Sequence, residues 1–241
     1  MARRRFFVEA VQRGRAQITG PDAHHLTRVL RVEAGQQFEI SDNHNVYLAE
    51  VEAARKDLVS FAIIQQIEVP APSLHLSLFA ALIKFERFEW MLEKATELGV
   101  EQVTPVETGR SEKGLEQAAG KRLVRWNRIA REASEQARRS RLPEIESPRP
   151  LADALREGSG HRYVLEETGA SPILSVIPAT RHPEDQVALL VGPEGGWTER
   201  ERAIIRQEGW APVSLGKNIL RAETAALAAL AVLAAAWDQL S

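Results

Sequence analysis

Two stretches late in the chain carry the residue types best able to do chemistry. The first is Leu189-Leu190-Val191-Gly192-Pro193-Glu194-Gly195-Gly196-Trp197-Thr198. An apolar strand pattern runs straight into a glycine-rich turn. Thr198 and Glu201 then form a capping box that opens a helix ending near Gly209. In an open parallel sheet ligands bind beyond the carboxyl ends of the strands, and glycines there let backbone amides come close to a ligand. A tight turn without a ligand uses similar residues, but a carboxylate such as Glu194 in that position needs a partner or a task. The turn lacks the glycine-lysine-serine/threonine ending of a phosphate loop. Gly158-Ser159-Gly160 precedes a strand pattern instead of following one, so it reads as a plain loop and disfavours the dinucleotide-binding fold.

The second stretch is Val213-Ser214-Leu215-Gly216-Lys217-Asn218-Ile219-Leu220-Arg221-Ala222-Glu223-Thr224-Ala225. Again a strand pattern meets a glycine and then a helix. Arg221 and Glu223 are open to two readings: an ion pair that fixes the turn, or working groups of a site. The recurrence of two strand-to-helix junctions, each with glycine and a glutamate, favours the second.

These junctions need a frame to hold them. From Leu74 onward strand and helix patterns alternate: strands at 74–82, 100–106, 162–165, 186–191 and 212–215, and a helix on which Phe85, Phe88, Leu92 and Ala95 recur. Such alternation predicts a mostly parallel α/β sheet covered by helices. A long basic helix is expected over 115–141, and a last helix from about Glu223 that is Ala- and Leu-rich on every face. A helix apolar all round is covered either by its own sheet or by a second subunit. Before Leu74 the character differs. Short β patterns at 6–8, 37–40, 46–51 and 58–64, with turn signals between them and a short helix capped by Asp22, predict a small barrel-like domain. Val69-Pro70-Ala71-Pro72-Ser73 is a stiff connector, which places the expected domains at 1–70 and 71–241.

Composition narrows the classes. The 241 residues carry a formal net charge of −2, so any affinity for nucleic acid must come from local clusters. There is no cysteine, which excludes disulfides, thiolate zinc sites and cysteine nucleophiles, and no metal site is visible. The basic start lacks the apolar stretch of an export signal, and the most apolar run, 225–237, is too short to span a membrane; a cytoplasmic protein is expected. Arg3, Arg4, Arg5, Arg28 and Arg31 cluster near the start, and Arg125, Arg128, Arg131, Arg138, Arg139 and Arg141 along the expected long helix. Arginine suits phosphate through its bidentate fork, while Glu132 and Glu135 offer intrahelical partners to part of the second cluster. Lys84, Glu86 and Arg87 open a helix and read as a solvated face.

The residues quoted resemble a known family. Leu190 to Trp197, Leu215-Gly216 and Ile219 to Ala225 are similar to the signature of the SPOUT methyltransferases, and more closely to the RsmE-type enzymes, which methylate N-3 of a uridine in 16S rRNA. Arg4 to Val8, His24 to Arg31, Lys94 to Val100 and Glu132 to Gln136 resemble further blocks of that family, so the similarity spans nearly the whole chain. Asn218 and Ala137 depart from it, standing where a basic residue and a serine are usual. The resemblance implies a PUA-like RNA-binding β-barrel at 1–70, a SPOUT domain with a deep trefoil knot at 71–241, a homodimer, and 16S rRNA or the assembled small subunit as partner. It implies S-adenosyl-L-methionine held by Glu166, Leu190, Gly192, Pro193, Gly195, Gly196, Leu215, Gly216, Ile219, Leu220, Thr224 and Ala225. RNA contacts fall to Arg3, Arg4, Arg5, Arg28, Arg31, Arg131, Arg138 and Arg139. Arg221 is then expected to stabilise charge on the uracil carbonyls, with Glu194 or Glu223 as base or as the group that orients it. The competing readings are a SPOUT enzyme acting on a ribose 2′-hydroxyl and a non-catalytic RNA-binding assembly factor.

Overall fold

The computed structural model describes residues 4–112 and 114–238; Arg3, expected among the RNA contacts, lies outside them. The chain forms two compact units, Met1–Pro70 with Arg131–Leu142, and Ala71–Ala130 with Pro143–Ser241. Residues 131–142, expected with the second segment, therefore belong to the first unit.

In the first unit β1 (Arg5–Phe7), β2 (Arg15–Thr19), β3 (Gln37–Ser41), β4 (Val46–Arg55) and β5 (Leu58–Ile67) form a sheet in the order β1-β3-β4-β5-β2. β1 runs parallel to β3, and the other pairings are antiparallel. β2 shows the alternation of a half-buried strand, with Ala16 and Ile18 turned inward. They pack with Phe6, Leu26, Ile40 and Phe61. α1 (Gly20–Arg28) begins earlier than its sequence signal, with Thr19 at the N-cap and proline in the first turn. Asp22 is thus a first-turn carboxylate at the positive end of the helix, not its cap.

The expected helix 115–141 is interrupted. It divides into Leu115–Ala119, a 3-10 turn at Gly120–Arg122, and Leu123–Gln136, with Gly120 at the break. The last of these ends in a Schellman-type turn: the Arg139 N–H donates to the Ser134 carbonyl at 2.9 Å and Arg138 takes φ 55°. Glycine is usual there, and a side-chain-bearing residue costs about 1–3 kcal/mol. Tertiary contacts offset that cost. Arg138 donates to Glu39 at 2.5 Å, and Arg5 donates to the Arg138 carbonyl at 2.5 Å and to Glu39 at 2.8 Å.

In the second unit the elements are β6 (His75–Ala81), α2 (Phe85–Glu97), β7 (Gln102–Glu107), α3 (Leu115–Ala119), α4 (Leu123–Gln136, to Ala130), β8 (Glu144–Ile145), β9 (Arg149–Pro150), α5 (Leu151–Glu157), β10 (His161–Leu165), β11 (Ser171–Pro172), α6 (Ile173–Val176), β12 (Gln186–Val191), α7 (Glu199–Gln207), β13 (Ala211–Ser214) and α8 (Ala222–Asp238). The strands are parallel in the order β11-β13-β10-β12-β6-β7-β8, with β9 also on β7. β12 is apolar on both faces because both are covered. Val187, Leu189 and Val191 enter one core with α2 and α8, while Ala188 and Leu190 enter another with Trp197 and Trp210. Gly158 and Gly160 are more than a plain loop. A Cβ on Gly158 would lie 2.4 Å from the Trp210 ring, and one on Gly160, at φ 65°, would lie 2.0 Å from the Gln186 carbonyl oxygen. No helix among the described residues is long and apolar enough to cross a membrane.

Candidate active site

β13, β10 and β12 are adjacent and parallel, so the loops after their carboxyl ends emerge side by side. These are residues 166–170, 192–198 and 215–221, and residues of all three line one cavity of about 490 Å³. That is the position where α/β sheets bind ligands, and the volume falls in the range of small-molecule sites.

The glycine turn after β12 is built tightly. The Gly196 N–H donates to the Pro193 carbonyl at 2.8 Å, closing a four-residue turn with Glu194 at its tip. Gly192 lies against the Trp197 indole, where an added Cβ would come within 2.9 Å of the ring. Trp197 is buried and donates its indole N–H to the Leu165 carbonyl at 3.3 Å, tying the turn to the end of β10. The predicted capping box is present: Thr198 Oγ1 accepts from the Glu201 N–H, and Glu201 accepts from the Thr198 N–H. Glu201 also accepts from the Gly109 N–H at 2.7 Å, and Arg110 donates to the Gly195 carbonyl at 2.7 Å. The segment after β7 is thereby fastened over the turn and forms another wall of the cavity.

Charge is distributed around this cavity in a definite way. Glu194 forms an ion pair with Arg87 of α2, and the Arg87 Nε lies 4.0 Å from a Glu223 oxygen. Glu223 stands in the first turn of α8 with 9% of its side chain exposed, and its Oε2 has no hydrogen-bond partner. Arg221 is exposed at the rim and takes part in no ion pair among the described residues.

Known proteins resemble this chain in sequence and fold. An RNA methyltransferase domain model matches residues 70–234, and an RNA methyltransferase PUA domain model matches residues 18–64. The ribosomal RNA small subunit methyltransferase E of Synechocystis sp. is 33% identical, over 89% of this chain and 71% of that protein. The enzyme of that name from Bacillus subtilis is 31% identical, over 90% and 88%. The chain belongs to the ribosomal RNA small subunit methyltransferase E family. A crystal structure of the Neisseria gonorrhoeae member, bound to S-adenosyl methionine, superposes with a TM-score of 0.86 at 29% identity, covering 98% of each chain.

Within this methyltransferase E fold the expected residues are only partly brought together. Gly192, Pro193, Gly195 and Gly196 line the cavity from one loop, and Leu215, Gly216, Ile219, Leu220 and Ala225 from another. Glu166 lines it too, with its carboxylate held by Arg202 at 3.1 Å. Glu194 and Arg221 are in the wall. The Leu190 side chain is fully buried in the core beside Trp197, which leaves its backbone as the part that can meet a ligand. Thr224 is exposed on α8 and is not part of the wall. The alternative in which Arg221 pairs with Glu223 is not what forms, because Arg87 meets both carboxylates.

Arg87, Arg110, Arg202 and Asn218 are wall residues the sequence reading did not assign. Arg87 had a readable signal. It lies four residues before Met91 and eight before Ala95, so helical spacing puts it on the buried stripe and not on a solvated face. Arg110 had none, since its role depends on a bond to a residue 85 positions away.

The methyltransferase E family's PUA unit corrects part of the basic cluster as well. Arg5 is buried and committed to Glu39, so it is a structural arginine and not a phosphate contact. Burial alone would raise the Glu39 carboxyl, but hydrogen bonds from Arg138 and Arg5 outweigh it and hold it below the ordinary carboxylate range. Arg131 donates to the Phe7 carbonyl at 2.5 Å, and Arg139 to the Arg141 carbonyl at 3.2 Å. Arg4, Arg28 and Arg31 are exposed. Among the described residues no group of His, Asp or Glu is placed to hold a metal.

Proposed function

We propose that this protein uses S-adenosyl-L-methionine to methylate N-3 of a uridine in the 16S rRNA of the small ribosomal subunit. The observation that carries the reading is the single cavity at the ends of β10, β12 and β13, lined by glycine turns and aliphatic side chains, with an unpaired arginine at its rim. The residues present fit the cofactor. Ile219 is 78% exposed beside the cavity, an apolar side chain waiting for a flat partner such as adenine. The turns at Gly192–Gly196 and Leu215–Leu220 offer backbone groups to the adenine and ribose.

When bound, S-adenosylmethionine supplies an electrophilic methyl group. The chain's own task is to hold the base in line and to manage the proton on uridine N-3, which is a poor nucleophile until deprotonated. Arg221 stabilises the negative charge that develops on the uracil carbonyls, and a carboxylate accepts the imide proton. The target is splayed from its stacked neighbours to reach the cavity, and the exposed Arg4, Arg28 and Arg31 contact phosphate. The reading also carries the trefoil knot, a homodimer and a cytoplasmic location. The homodimer is supported by a mainly apolar groove of Leu174, Ile177, Val232, Ala235 and Ala236, with Arg181 in its lining, beside α6 and α8.

The test is incubation with S-adenosylmethionine and small subunits lacking the modification, followed by mass spectrometry of the digested RNA. 3-Methyluridine is the expected product, while a 2′-O-methylated nucleoside would refute the assignment to the base. Arg221→Ala should lower turnover by about 10²–10³-fold with cofactor affinity retained; a normal rate in the folded variant would remove Arg221 from the chemistry.

A further inference from the structure

Two carboxylates stand near the cavity, and either could serve the uridine imide. Their surroundings differ. Glu194 is 46% exposed at the tip of a turn, and one of its oxygens is taken by Arg87. Glu223 is 9% exposed, its Oε1 lies 4.0 Å from the Arg87 Nε, and its Oε2 is buried without a partner. A buried carboxylate oxygen with no donor is costly to keep and is a reason to look for a ligand that supplies one. The two residues before it, Arg221 and Ala222, line the cavity, as does Arg87, and Glu223 stands just behind them.

Arg87 is placed by the core beneath it. Phe88, Met91, Leu92 and Ala95 of α2 pack in one core with Ala226, Ala229, Leu230 and Leu233 of α8. Helical spacing carries both stripes up to a charged residue at the end of each helix, Arg87 on α2 and Glu223 on α8. The contact between the two helices therefore sets the Arg87–Glu223 distance, and the side chain of Arg87 reaches on to Glu194.

We propose that Glu223 is the carboxylate that receives the imide proton and that Arg87 is its positioning residue. Resting on the methyltransferase reading above, the inference assigns three roles. Arg87 occupies Glu194, keeps Glu223 in place with its buried Oε2 free of any hydrogen-bond partner, and by meeting both carboxylates leaves Arg221 unpaired for the substrate. The proton passes from the uracil imide nitrogen to Oε2 and the electron pair stays on nitrogen, which becomes the nucleophile. An N–H donor could also come from the ammonium of the cofactor's amino-acid moiety, and the experiment separates the two.

Full-length Glu223→Gln, Arg87→Ala, Arg87→Lys and Glu194→Gln would be compared for single-turnover rate on unmodified small subunits. S-adenosylmethionine affinity would be measured by calorimetry, and the unfolding midpoint would check that each variant is folded. Glu223→Gln and Arg87→Ala should each slow the step by on the order of 10²-fold while cofactor Kd holds. Arg87→Lys should recover part of the rate, and Glu194→Gln should cost less than Glu223→Gln. A normal rate for Glu223→Gln, a larger loss for Glu194→Gln, or full activity of Arg87→Ala overturns the inference. So does a loss of cofactor affinity in Glu223→Gln that matches its loss of rate, since Oε2 would then serve the cofactor's ammonium. If wild-type protein itself binds no cofactor and forms no product, it is the underlying methyltransferase reading that fails, and this inference falls with it.

Discussion

Gly192→Ala tests how the cavity is built. The backbone of Gly192 needs no left-handed conformation, so the substitution acts through space alone. The added methyl would stand 2.9 Å from Trp197 Cε2, 3.1 Å from Cζ2 and 3.2 Å from Nε1, against ordinary contacts of about 3.5–4.0 Å. The indole cannot yield freely: it is 2% exposed, packed among Leu190, Val164 and Ile205, and bonded to the Leu165 carbonyl. Overpacking of this kind costs about 1–3 kcal/mol. Because the strain falls on the turn that walls the cavity, S-adenosylmethionine binding should weaken by roughly 5- to 150-fold. The assays are calorimetric titration and thermal unfolding of the full chain. Trp197→Phe removes Nε1 and shortens the ring system, so the double variant should bind better than the sum of the single losses allows. If Gly192→Ala binds and unfolds like the wild type, or if the double variant is simply additive, then the turn is not held by Trp197 as argued.

Glu39→Gln leaves Arg5, with 8% of its side chain exposed, without its counter-charge, and should destabilise the protein by about 3–5 kcal/mol in urea unfolding at neutral pH. The folded Glu39 is held below its ordinary pKa, so its contribution is present above the usual carboxylate range and lost as pH falls through the folded value. The gap between variant and wild type should therefore close in acid; a constant gap would refute the ion-pair account. Glu135 behaves in the opposite sense. Burial first, with the charge of Asp22 adding, pushes it from 4.5 to about 7 against Arg131 and the Phe7 N–H. Its folded form favours the proton, so stability is full below pH 4.5 and falls as pH rises through about 7, by about 3 kcal/mol at most. Glu135→Gln should unfold like the wild type at pH 4.5 and be more stable at pH 8, and equal midpoints at pH 8 would count against the burial argument.

Much of the second unit was legible because its signals are local. The unbroken apolar run at 186–191 needs cover on both faces and so reads as an inner parallel strand, and it lies between β10 and β6. The Thr198–Glu201 box satisfies helix-end N–H groups within one turn, so it works wherever the helix lies. The helix expected to run unbroken over 115–141 failed for the complementary reason. Its periodicity continues past Gly120 and Gln136, but it stops where Arg138, held to Glu39 and Arg5, makes the terminal turn.

The site divides along the same line. Glycines and carboxylates after strand patterns were readable as ligand-binding turns, and Arg87 and Glu223 were readable as charges on otherwise buried stripes. Which turns share a wall was decided by strand order, since β13 lies beside β10 and not beside β12. The packing of sheet and helices also decided that Arg110 closes on Gly195 and that Arg87 rather than Arg221 meets both glutamates. Sequence alone determined most of this protein's longer strands, its glycine turns and most of the groups available for chemistry, because propensity, capping and periodicity act over a few residues. Their pairing was decided by tertiary structure, because a charged group joins whichever partner the packed helices and sheet bring within reach, however far apart the two lie in the chain.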